Sequence, residues 1–320
     1  MRAYILRRVI LAVVTIWLTA TMVFLALRVT PEPTAAERIA SQCDLTKVED
    51  CRRIFDREFG LDKPLPAQYV TFISDLATGD LGNSFMSGRE PVAGAIKDRI
   101  GTSIELGLLQ VITAISIAVP VGVVSAVRQD SWADYVLRGF SLFWLAVPSF
   151  VTAVFVLLAL SRWGGWTPIR PDYKDFFEDP IANLQTMIVP ALIGGLASGA
   201  VLMRFIRAEL LEVLRQDYVR TAMSKGLAER VVVLRHALRN AMIPVVTVTG
   251  FLIAGIVGGN FILESLFVIP GVGTYAVQGL ATADYPAIQG VALVVAISVV
   301  TVNLGVDIAY TWLDPRVVYR

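Results

Sequence analysis

Few residues in this chain could carry bond chemistry. It holds one histidine, His236, and two cysteines, Cys43 and Cys51, which excludes a metal cluster of the usual His/Cys kind. A reaction needing a histidine base has His236 alone, and it lies in the stretch 217–244 among Arg220, Lys225, Arg230, Arg235 and Arg239. No Gly-x-x-x-x-Gly-Lys-Ser/Thr loop occurs anywhere, so the chain does not cradle a nucleotide phosphate in the usual way. If ATP drives this protein, the ATPase is another polypeptide, and no cofactor is expected in this chain. The polar stretch 217–244 lies between two apolar segments, and such a loop is where a membrane protein meets something in the cytoplasm.

The elements that must position this stretch follow from composition. The 320 residues are 55% hydrophobic and only 17% charged, with a mean hydropathy of +0.64, whereas a soluble domain carries about 25% charged residues. The expectation is an all-α integral membrane protein, because the apolar runs approach the roughly 20 residues that span a bilayer. Six spans are predicted: 9–29, 102–127, 139–160, 186–203, 245–263 and 287–309. The first follows Arg2, Arg7 and Arg8, and it exceeds the apolar core of about 7–15 residues found in a cleaved signal. It reads as a retained helix with its N-terminus inside. Pro190, Gly194, Gly195 and Gly199 make the fourth span an interior helix, since small residues let helix backbones approach closely.

Charge placement agrees with this count. With the N-terminus inside, the segments 1–8, 128–138, 204–244 and 310–320 carry most of the arginines, while 264–286 has no basic residue. That is the positive-inside asymmetry, and it places both termini in the cytoplasm. The chain thus divides into 1–30, a long external loop 31–101, and a five-helix core 102–320 with the cytoplasmic loop 204–244. Cys43 and Cys51 fall in the external loop, where an oxidising compartment favours a disulfide; two free thiols are the alternative. The span interiors hold almost no ionisable groups. Glu105 sits near an outer end and Asp307 near an inner end, which speaks against an ion-coupled carrier. A net charge of +1 gives no reason to expect a nucleic-acid partner.

Within the loop, 213–224 reads as a helix that Gly226 ends in the left-handed conformation. Leu227 follows as an apolar plug, and a second helix from Ala228 stops near Pro244. The expected result is a helix–turn–helix projecting into the cytoplasm with a small-residue elbow at Ala222 and Gly226. A merely solvated basic loop would leave Tyr218, Val219, Leu227 and Val231 exposed without reason. Further on, Pro270-Gly271 reads as a tight turn with Gly271 at positive φ. A short amphipathic helix, 274–280, follows it at the outer face. It is expected to form part of an external gate or a structural elbow, with Glu264, Phe267, Pro270, Gly271 and Gly273 as the gate candidates.

Arg220-Thr221-Ala222, three residues, then Gly226 resembles the EAA motif of ABC-importer permeases. Arg220 and Thr221 stand where the general motif has Glu and Ala, and Gly226 lies further from Pro244 than usual. Both departures resemble the branch importing dipeptides, oligopeptides and nickel (DppB/OppB-type). The segments RRVILAVVTIWLTATMVFLALRVTP at the N-terminus, FGLDKP at 59–64, GDLGNS at 79–84 and RIGTSIEL at 99–106 are similar to that branch too. So are ESLFVIPGVG at 264–273, DYP at 284–286, and the C-terminal Asn303, Asp307 and Leu313-Asp314-Pro315-Arg316.

The resemblance implies a type I importer permease fold whose coupling loop docks into a cleft of a separate ATPase through Asp217, Arg220, Thr221, Ala222, Lys225, Gly226, Leu227 and Pro244. It also implies the partners: a second homologous permease subunit, two ATPase domains carrying ATP and Mg, and an extracytoplasmic peptide-binding protein. The expected function is uptake of short peptides across the cell membrane by alternating access, without bond chemistry in this chain. The other readings are a nickel or haem permease of the same branch, an ion-coupled secondary carrier, a membrane-embedded enzyme and a non-transporting scaffold. Alkylation without prior reduction is expected to leave Cys43 and Cys51 unmodified; a mass shift on either would show free thiols.

Overall fold

The computed structural model describes residues 2–29, 57, 60, 62–85, 90–170, 172–256, 258 and 260–313, the side chains of 2–5, 29 and 307–313 excepted. Cys43 and Cys51 lie outside the described residues, as do Asp314, Pro315 and Arg316 and the side chain of Asp307. Among the described residues the protein is helical, its one extended pairing being an isolated bridge between Asn83 and Pro91. The helices are α1 Arg2–Val29, α2 Leu65–Thr78, α3 Val92–Val127, α4 Trp132–Ala146, α5 Ser149–Ala159, α6 Pro180–Leu214, α7 Asp217–Ser224, α8 Glu229–Val231, α9 Leu238–Ala254, α10 Phe261–Leu266, α11 Val272–Thr282 and α12 Tyr285–Leu313. Five helical segments are long and apolar enough to cross a membrane, and a sixth crossing results if α4 and α5 count as one. The chain forms two compact units, one of residues 1–101, 271–304 and 318–320, the other of 102–270 and 305–317.

Several predicted boundaries move, each for a physical reason. The second span is the 36-residue α3, which starts at Val92 rather than at residue 102. At 1.5 Å per residue it is about 54 Å long, well beyond the roughly 30 Å of hydrocarbon. The third span is not continuous: α4 and α5 meet at 98°. Val147, just before Pro148, is extended at φ −86, ψ 119, because the proline ring disfavours helical backbone in the preceding residue. The fifth span runs Glu229–Ala254, and Pro244 lies inside α9 rather than ending it. Proline removes one ladder bond, which a membrane helix tolerates when neighbours cover the freed group; Ala241 and Val245 beside it are buried. The described residues 255, 256, 258 and 260, which were expected to continue this span, are not helical, and α10 is a separate short helix.

The fourth span is the interior helix that its glycines indicate. Of its most apolar window 61% is buried, against 11–28% for the other candidate spans. A Cβ on Gly195 would lie 2.5 Å from Thr113 Cβ and 2.8 Å from the Gln110 carbonyl oxygen; one on Gly199 would lie 3.2 Å from Ala114 Cα. Gly195 and Gly199 form a Gly-x-x-x-Gly pair, so α6 presses its backbone against α3 and gains dispersion contact where lipid offers no hydrophobic drive. Deeper along the pair, Leu202, Met203 and Ile206 pack with Ala118 and Val245.

In the other unit, α2 lies on α1 through an aromatic cluster. Phe24 stacks on Phe72 at 5.3 Å and meets Tyr69 edge-on at 5.4 Å, while Tyr69 and Thr21 share a 2.8 Å hydrogen bond. α2 ends in a Schellman motif at Gly79, φ 80, with the Asp80 N–H donating to the Asp75 carbonyl. The stretches 79–84 and 284–286 meet here. The Asp284 carboxylate accepts from Ser84 Oγ, from the Phe85 N–H at 3.1 Å and from the Ala287 N–H at 3.4 Å. One buried acid thereby ties the segment 84–85 to the first turn of α12.

Gly195→Val is expected to destabilise the purified chain by about 1–3 kcal/mol, as over-packing a tight interface does. Gly139→Ala should leave stability unchanged or raise it by up to about 1 kcal/mol, because it lies within α4 and a Cβ there meets nothing within 4 Å. Thermal unfolding in detergent distinguishes the two.

Candidate coupling elbow

The elbow hangs from the end of α6. The helix expected over 213–224 is in fact interrupted: α6 stops at Leu214, and the N–H groups of Arg215 and Gln216 turn back onto the Glu212 and Val213 carbonyls. α7 then restarts with Gln216 as N-cap and no side-chain cap bond. Val219 is its one buried residue, and α7 packs against α6 and the π-helical turn Val232–Ala237 that links α8 to α9. Asn240 Nδ2 donates to the Tyr218 hydroxyl at 2.8 Å. Thr221 and Ser224 turn their hydroxyls onto the carbonyls one turn back, 2.9 and 3.0 Å away. They stay local to the helix, and the rest of α7 faces outward.

At the corner, Gly226 has φ +79 and its N–H donates to the Met223 carbonyl at 3.0 Å, so the left-handed helix end read from the sequence is present. A Cβ there would meet nothing within 4 Å; within this chain it is backbone strain, not crowding, that calls for glycine. Leu227 is not a plug. It is 42% exposed, and Tyr218, Met223, Val231 and Leu234 are exposed to a similar degree. Arg220 lies 3.9 Å from Asp217 with both side chains in solvent, a pairing worth little. Lys225 is exposed, Ala222 is half-buried, and Pro244 lies two turns into α9. Beside the corner, a groove of about 500 Å³ runs between the end of α3 and α8, lined by Val123, Val127, Arg128, Arg230, Val233 and Leu234 among others.

What holds this end of α6 in place was not read from the sequence. Asp134, at the start of α4, is fully buried, and its carboxylate accepts four hydrogen bonds. Arg207 of α6 supplies two, Nε at 2.9 Å and Nη2 at 2.8 Å; the Asp130 N–H supplies a third at 3.0 Å and Ser125 Oγ of α3 the fourth. This fork-to-fork geometry is the strong form of an ion pair. Ser131-x-x-Asp134 is a capping-box pattern, and the Asp134 N–H does approach Ser131 Oγ, at 3.3 Å. That signal marks a helix start, but nothing in it points to a partner 73 residues away.

The external-gate candidates divide between the two units. Glu264 and Phe267 are buried, Phe267 in a core with Leu106, Met187 and Ile269, while Pro270 is exposed; Gly271 and Gly273 are buried in the other unit. The tight turn is not where the sequence suggested. Gly271 has φ −97, ψ 178 and caps α11, and the left-handed residue is Val268 at φ 55. Val268 and Ile269 donate to the Ser265 and Glu264 carbonyls, a Schellman closure of α10 built on a β-branched residue. Burying the fully enclosed Ile269 side chain fixes that register. The short helix read as 274–280 is present as α11.

Residues 118–319 match the family described as "Binding-protein-dependent transport system inner membrane component", and residues 1–107 match its N-terminal companion. The chain belongs to this family. A Brucella suis biovar 1 protein that carries the name of a peptide transport system permease is 37% identical over 319 residues, with all of both chains covered. The dipeptide transport system permease DppB of Alkalihalophilus pseudofirmus and the oligopeptide transport system permease AppB of Bacillus subtilis are each 33% identical, again over all of both chains. This transport-system component is therefore a multi-pass inner membrane protein of helical, type I permease class.

Asp134→Ala is expected to cost the permease about 3 kcal/mol, because it leaves the Arg207 guanidinium without its partner. Arg207→Lys should cost less, since it keeps the charge and loses only the fork. Unfolding of the purified variants measures both.

Proposed function

We propose that this chain is a permease subunit of an ATP-driven importer of short peptides, working by alternating access. It pairs with a second, homologous permease subunit around one pathway. An extracytoplasmic binding protein delivers the peptide, and two separate ATPase domains carry ATP and Mg. The peptide class rests on the names of full-length relatives, which are a dipeptide and an oligopeptide permease. The family membership supports dependence on a binding protein.

The observation that carries the coupling role is the surface of the elbow. Tyr218, Met223, Leu227, Val231 and Leu234 are exposed around a left-handed corner between two spanning helices. Apolar side chains clustered in this way beside exposed basic groups fit a partner surface. Docked in an ATPase cleft, α7 and its corner would move with the ATPase. α6, locked to α4 through Arg207 and Asp134, would carry that displacement into the spans. Each state is favoured only by the contacts it alone makes.

Uptake in proteoliposomes tests this reading. Peptide transport should require both ATP and the ATPase subunits; transport that persists without them on an ion gradient would identify a secondary carrier instead. Nickel or haem uptake under the same conditions would keep the coupling and change the cargo. At the corner, Gly226→Val should leave insertion intact and lower ATP-driven uptake by at least about tenfold, since a β-branched residue resists positive φ. Gly226→Asn, which tolerates that conformation, should retain much of the activity. Equal loss in both variants would show that backbone strain is not what makes glycine necessary.

A further inference from the structure

The elbow and the Asp134 pair leave one charged group unexplained. Arg28, in the last turn of α1, has a buried Nε with no hydrogen-bond partner, and it makes no ion pair among the described residues. Its guanidinium carbon sits 5.7 Å from the centre of the Phe24 ring. Arg28 lines a cavity of about 170 Å³ formed by α1, α2, the segment 80–85 and the first turns of α12. All of these belong to one compact unit, at the end of α1 that the charge asymmetry places outside.

The lining is specific in chemistry. Lys63 supplies a second cation, Asp75 and Asp80 two acids, Gln68, Asn83 and Gln289 three amides, and Phe24, Phe72 and Phe85 aromatic walls. One Asp80 oxygen is spent on the Gly82 N–H at 2.8 Å. A site for a simple anion would not place two carboxylates on its wall, and a site for a cation would not leave a guanidinium without a counter-charge. A ligand with a carboxylate, an ammonium and an amide between them satisfies each group. The carboxylate matches the arginine fork bidentately.

We propose that this cavity binds a short peptide as a zwitterion, with Arg28 holding its terminal carboxylate and the Asp75–Asp80 wall facing its ammonium. The assignment rests on the peptide reading of the transported cargo. It adds to that reading a ligand subsite on the permease itself, separate from the binding protein and from the elbow.

Calorimetric titration of the full-length chain in phosphatidylcholine nanodiscs tests it, with dialanine and dialanine amide as probes. The free acid should bind, and the amide should bind about ten- to a hundredfold more weakly, the range expected for a lost charge-assisted pair. Arg28→Gln should bring the free acid down to the level of the amide, while Arg28→Lys recovers part of the difference. Equal binding of acid and amide, no binding of either, or an Arg28→Gln protein that still discriminates would overturn the proposal. An unchanged unfolding temperature for Arg28→Gln separates lost recognition from lost folding. Discrimination by the chain without peptide uptake by the assembled importer would refute the transport reading alone; uptake without discrimination would refute this site alone.

Discussion

A carboxylate buried at the edge of a membrane is tolerable only if every acceptor position is filled, and Asp134 meets that condition. Its two oxygens collect donors from α3, from the turn after it and from α6. The desolvation of the charge is offset by a paired guanidinium and two further hydrogen bonds, so the arrangement has little slack. It fixes the point from which the elbow leaves α6. Without it, α4 would rest on α6 through apolar contact alone, and side chains in apolar contact can slide past one another.

The second constraint is steric, and it acts further along the same helix. Gly195 and Gly199 bring α6 within backbone range of α3, and Gly194 leaves room for the Gln110 side chain. Together the two devices make α3, α4 and α6 a stiff group: close packing holds it midway, and a bidentate ion pair closes it at the end. α7 is held differently, by one buried valine and a tyrosine–asparagine hydrogen bond. A strongly held helix therefore leads into a lightly held one at Arg215–Gln216. A segment that must fit a partner while its support stays rigid has this gradient of stability.

The apolar runs, the interior status of the fourth span and the left-handed corner at Gly226 were legible because each depends on local residue type. The long-range pairs were not. No local pattern connects Asp134 to Arg207 or Asp284 to Ser84. Two misreadings had a common origin in treating polarity and proline as helix boundaries. Val92–Gly101 is polar and still helical, since a helix that leaves the hydrocarbon has no need to remain apolar. Pro244 passes through α9, whereas Pro148 breaks its span. The difference lies in the preceding residue: Val147 goes extended, whereas Ile243 stays helical within α9. At 268–271 the turn read at Pro270-Gly271 is absent: Gly271 is extended, and the positive φ falls on Val268 at the end of α10, where the buried Ile269 follows it.

The length of α3 has an electrostatic consequence. Its first ten residues, with Lys97, Asp98 and Arg99 among them, precede the apolar stretch and extend it by about 15 Å. At physiological ionic strength the field of a charged lipid surface decays over about 8 Å. That extension is about two such distances, so in water a charge at the head of α3 and one at the start of its apolar stretch are largely screened from each other.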